Sequence, residues 1–95
     1  MPGPDESAVE SIAAELDSIA ASVGEGADPE LVERRMRVAH DAVRRLGRDG
    51  DEGRAVSIAL LVAALRAGAP AHTGMAQKLR DVATDLRESA ARDPA

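Results

Sequence analysis

Residues 55–67 read AVSIALLVAALRA, and of these thirteen positions only Ser57 and Arg66 are polar. A helix built from this stretch has almost no face left for water. In a soluble chain such a helix is buried at the centre of the fold or against a partner. The run is too short to span a bilayer, which takes about 20 apolar residues. Ala55, Ala59, Ala63 and Ala67 recur every four residues, a smooth ridge along which a neighbouring helix can come close.

Outward from this stretch the chain reads as helices and short turns. Upstream, GRDGDEG (47–53) holds three glycines and four charges, and Asp49 with Glu52 has the spacing of a capping box. Before it, Asp28-Pro29-Glu30 opens a helix with an N-cap aspartate and a proline whose φ is already set. Val32, Met36, Ala39, Val43 and Leu46 form the apolar seam of that helix, flanked by Leu31, Val38 and Ala42, and Gly47 ends it. The first helix carries Val9, Ile12, Leu16, Ile19 and Val23 in the same 3-4 rhythm. Ser7 with Glu10 is read as its capping box, Ser11, Ser18 and Ser22 as its polar face, and Gly24 as its C′ residue. Downstream, Gly68 and Pro70 stop the central helix, and Met75, Leu79, Val82 and Leu86 mark a fourth seam.

These signals predict an all-α chain with helices at about 5–23, 28–46, 51–67 and 71–91 and a single helical-bundle domain over 1–95. Short turns favour antiparallel neighbours, so the expected topology is an up-down-up-down four-helix bundle with a highly apolar third helix.

Composition narrows function by exclusion. The 95 residues include no Phe, Tyr, Trp or Cys, and the formal net charge is −5. Without cysteine there is no disulfide, thiolate metal site or thiol chemistry. Without aromatic residues or a positive footprint, reading of nucleic-acid bases is not expected. MPGPDESAVE lacks the basic and apolar regions of a secretory signal. A soluble, cytoplasmic protein that touches neither nucleic acid nor membrane is the expectation.

Two histidines are the candidate ligands. His72 falls on the apolar seam of the fourth helix, three residues before Met75, near the bundle end that holds Glu25 and Asp28. It is the candidate cofactor-binding residue, a metal or haem ligand or a pH-sensitive contact. The plainer reading, which the pattern favours, is an end-of-bundle histidine bonded to a loop group. His40 lies on the rim of helix two, about 14 Å along the bundle from His72 at 1.5 Å per residue. That separation excludes a shared zinc site, whose ligands lie within about 2.0–2.2 Å of the ion.

His40-Asp41-Ala42-Val43 resembles the start of the phosphoacceptor box of one class of histidine kinases, and phosphotransfer modules are four-helix bundles with an exposed mid-helix histidine. In this chain Val43 and Arg44 stand where a phosphotransfer module has Lys and Gly. Asp17-Ser18-Ile19 is similar to the Asp-Ser-Leu of acyl carrier proteins, but Ser18 sits within a helix, not at its start. Gly47, Gly50 and Gly53 have a phosphate-loop spacing, but they follow a helix and read as a connector. Lys78 reads as a solvated amine. Arg35 intrudes on the apolar arc of helix two, where snorkelling, an anionic ligand or Glu15 can satisfy it. No catalytic constellation is recognisable, so no enzyme and no cofactor are expected.

Caps and turns in order throughout, with no Cys or aromatic residue, make the whole chain resemble an idealised, de novo designed helical bundle. Eleven arginines to one lysine fit a natural origin as well. Three function classes follow: a non-catalytic, self-associating structural bundle, which leads; a small-molecule, metal or haem carrier using His72 and an Ala-lined core; and a natural adaptor or regulatory domain.

The leading class makes a specific claim about helix three. Val56, Leu60, Ala63 and Ala67 share one side of a helical wheel, with Ile58, Leu61 and Leu65 on the other. If the alanine-rich side packs inside the bundle, Ile58, Leu61 and Leu65 look outward and form the interface of a homodimer. A skewed bundle with helix three surrounded is the monomeric rival.

Overall fold

The computed structural model describes residues 4–70 and 73–92, and it is a four-helix bundle with no strand among them. The helices are α1 (Pro4–Gly24), α2 (Pro29–Leu46), α3 (Asp51–Arg66) and α4 (Thr73–Arg92). The seams of α1, α2 and α4 face inward as their spacing requires. Val9, Leu16, Ile19, Val32, Met36, Val43, Met75, Leu79 and Leu86 are all buried in one cluster. The strongest packing is α1 along α4 and α2 along α3, with a lighter α1–α2 contact and little between α3 and α4.

The turns follow local chemistry, with three departures from the expected caps. Asp28 caps α2 as predicted, its Oδ1 accepting the Glu30 N–H at 3.0 Å, and Gly47 closes that helix at φ 62°. Gly24 remains helical, and the chain turns two residues later at Gly26, where φ reaches 79°. A left-handed φ there is easy for glycine alone among common residues. Ser7 lies inside α1 and Glu10 reaches across to Arg87, so they form no capping box. The N-cap of α3 is Gly50, without a side-chain cap, in place of Asp49. Asp51 holds that turn by accepting the Arg48 backbone N–H at 3.0 Å.

The orientation of α3 overturns the expected one. Ile58 is fully buried, Leu61 and Leu65 are in the core with it, and Val62 completes the inward face. Val56 is 52% exposed, Leu60 is 66% exposed, and Ala63 and Ala67 are exposed beside them. The physical reason is volume. A bundle centre filled by Leu16, Met36 and Leu79 needs bulky partners to reach native packing density, and an alanine face would leave voids. Ile58, Leu61 and Leu65 therefore cannot form a dimer surface in the folded monomer.

Candidate self-association face and its charged surroundings

Between Glu52 and Arg66 the exposed residues of α3 are Gly53, Val56, Ser57, Leu60 and Ala63, none of them charged. Two shallow grooves border it. One, of about 460 Å³, runs between α3 and α2 and is lined by His40, Arg44, Glu52, Val56 and Ala59. The other lies toward α4, where Ser57, Leu60, Lys78 and Asp81 line it. The exposed apolar ridge thus stands between two polar flanks.

At the base of α3 lies a polar cluster that sequence reading missed. Among the described residues Asp51 is the buried charged one, 1% exposed. Its Oδ2 accepts the Arg48 backbone N–H and Nε, and its Oδ1 accepts Arg48 Nη2 at 3.0 Å and Arg54 Nη1 at 2.7 Å. Arg54 continues to Asp85 of α4 at 2.6 Å, and Arg48 to the Ser89 hydroxyl at 3.1 Å. Burial pushes the Asp51 carboxyl up, but the hydrogen bonds from Arg48 and Arg54 outweigh it and hold the group below the ordinary range. Burial likewise disfavours charge on Arg54, and the bonds to Asp85 and Asp51 reverse that effect. The signal was present: Asp51, Ala55, Ile58, Val62 and Leu65 keep the 4-3-4-3 rhythm of the other seams. Arginines at i−3 and i+3 supply the partners that a buried aspartate needs.

Other arginines join helices in the same way. Arg35 is met by Glu15, through Nε at 3.0 Å and Nη2 at 2.8 Å, and by the Ser18 and Ser22 hydroxyls. The aspartate of the Asp17-Ser18-Ile19 stretch accepts Arg87 Nη1 at 2.7 Å, and Arg87 also clasps Glu10. Those bonds hold the Glu10 carboxyl below, and the Arg87 guanidinium above, their ordinary values. Arg66 Nε lies 2.7 Å from Glu33 Oε1 as an ion pair without an aligned hydrogen bond.

The remaining candidates scatter. His40 is half-buried, with Nδ1 at 3.2 Å from Asp41 Oδ1, and it lines the α2–α3 groove. His72 lies outside the described residues. Lys78 is exposed. Among the described residues no group of three or more His, Asp or Glu side chains could hold a metal ion, and no helix is long and apolar enough to cross a membrane. Comparison with models of protein families, with curated proteins and with solved structures finds no match.

Proposed function

We propose that the protein is a non-catalytic helical module that associates with its own copy through the solvent side of α3. The observation that carries this reading is the pair of large aliphatic side chains, Val56 and Leu60, standing more than half exposed on a charge-free strip. Its size predicts a weak interaction. Fully burying a Val or Leu side chain is worth roughly 1.5–3 kcal/mol, and these are already partly covered. Two copies together gain about 4–5 kcal/mol from the four side chains, with the alanines adding to it. Association costs roughly 4–15 kcal/mol in lost freedom, which this apolar gain alone does not exceed, so the polar flanks must contribute as well and the dimer is a weak one, sought between about 10 µM and 1 mM.

Sedimentation equilibrium across that range tests the proposal. The expected result is a reversible monomer–dimer equilibrium that Leu60→Glu abolishes while helicity stays intact. A chain that remains monomeric at about 1 mM contradicts it.

A further inference from the structure

The order of charges on α2 says how a second copy sits. The exposed side of α2 carries, from its start, Glu30, Arg34, Arg37, Asp41, Arg44 and Arg45, with the 65%-exposed Val38 near the middle. Four of these charges, Glu30, Arg34, Asp41 and Arg45, stand symmetrically about the middle of the helix with opposite signs. On a copy inverted end over end Glu30 faces Arg45 and Arg34 faces Asp41, about a midpoint between Arg37 and Val38, while Arg44 faces the exposed Leu31. Among the described residues Glu30, Arg34 and Arg45 form no ion pair, and Asp41 pairs with His40 alone. By contrast Arg35, Arg48, Arg54, Arg66 and Arg87 each bind a carboxylate of their own chain.

The strip on α3 gives the same centre independently. Inverted about a midpoint between Leu61 and Val62, Leu60 faces Ala63 and Val56 faces Ala67, large against small throughout. The two midpoints are level with each other. Glu33 lies beside Arg66, and farther along α2 Arg44 shares a groove with Glu52 and Val56, so advancing on α2 means retreating on α3. Counting from Glu33 to the α2 midpoint, and equally far back from Arg66, ends between Leu61 and Val62.

We infer that two copies associate about a two-fold axis perpendicular to α2 and α3 through these midpoints, with α2 and α3 each antiparallel to their counterparts. This inference rests on the self-association reading above. A two-fold parallel to α3 would bring α2 over α4 of the second copy. With Arg54 paired to Asp85, it would set Arg37 level with Lys78 and Asp41 level with Asp81, like charge against like. In the perpendicular arrangement Arg37 and Lys78 each approach their own copy near the axis. Arg37 is long enough to turn toward Asp41 of the second copy.

Charge reversal tests the arrangement, read by sedimentation with circular dichroism as the folding control. Arg34→Glu and Asp41→Arg should each weaken the dimer by about tenfold, because each converts two attractive pairs into repulsive ones. The double variant restores both pairs with reversed sign and should return to within about twofold of the starting affinity. A double variant no tighter than the singles, in a chain that still dimerises, overturns the axis and leaves self-association standing. A starting chain that is monomeric throughout overturns both. The cysteine-free sequence allows a second readout. Mixed and oxidised, Leu60→Cys and Ala63→Cys chains should cross-link mainly to each other, and Leu60→Cys homodimers as the main product contradict the inference.

Discussion

The two sides of α3 are both apolar, yet they meet opposite fates. Ile58, Leu61, Val62 and Leu65 close the core, while Val56, Leu60, Ala63 and Ala67 face water. Hydrophobicity alone does not tell these sides apart, but volume and phase do. The inner side is the bulkier one, and Asp51 sits one heptad before Ile58 with two arginines to neutralise it. The comparison teaches that a buried charge can fix the rotation of an otherwise featureless helix.

The largest expected effect comes from the inner side. Ile58→Ala deletes a fully buried side chain at the bundle centre and should cost about 3–4 kcal/mol in urea unfolding. A loss below about 1 kcal/mol would mean that α3 is turned the other way.

Next comes the cluster that sets the phase. Asp51→Asn leaves Arg48 and Arg54 facing a neutral group and should cost about 2–3 kcal/mol, less than a fully enclosed pair because both guanidiniums keep some solvent contact. The pH dependence has a definite sign. The folded carboxyl lies below its unfolded value, so its contribution is complete above the unfolded value of about 3.9 and fades as pH falls through the lower folded one. Acid titration of the Asp51→Asn variant should lack that component of the stability loss. Equal acid sensitivity in both proteins would show that other carboxylates govern it.

Smaller still is the pair between α1 and α2. Both Arg35 and Glu15 are partly solvated, so Arg35→Ala should cost about 1 kcal/mol, the two serine hydroxyl contacts included. Chemical denaturation resolves a shift of that size.

Much of the architecture was legible in the sequence because three helices carry a single apolar stripe, which leaves one way to face the core. The Asp28 cap and Gly47 were readable for the same reason, since each has one dominant use. Gly24 and Gly26 were not separable, because either can end a helix and only the backbone path selects one. Ile58, Leu61 and Leu65 are expected to face outward only when the alanine ridge is weighed above side-chain volume, and volume turns them inward. Asp51 falls where the glycine-rich connector 47–53 overlaps the start of helix three, and charge hides its place on the seam, although its spacing to Ile58 and its two neighbouring arginines mark it as part of that seam. Cross-helix partners such as Glu10 with Arg87 depend on which helices become neighbours, and no local pattern carries that.

The smallest effect on the monomer belongs to the outer side, where Leu60→Glu should leave the stability of the isolated chain within about 0.5 kcal/mol. That variant also gives the most direct test of the account, which is the concentration dependence of the thermal midpoint. A dimer stabilises the folded chain by mass action, so raising the concentration from about 10 µM to 1 mM should lift the midpoint by about 5 °C. The Leu60→Glu protein should show no such rise. A midpoint independent of concentration in the unsubstituted chain, or an equal rise in both proteins, would contradict the assignment of the outer side of α3 to self-association.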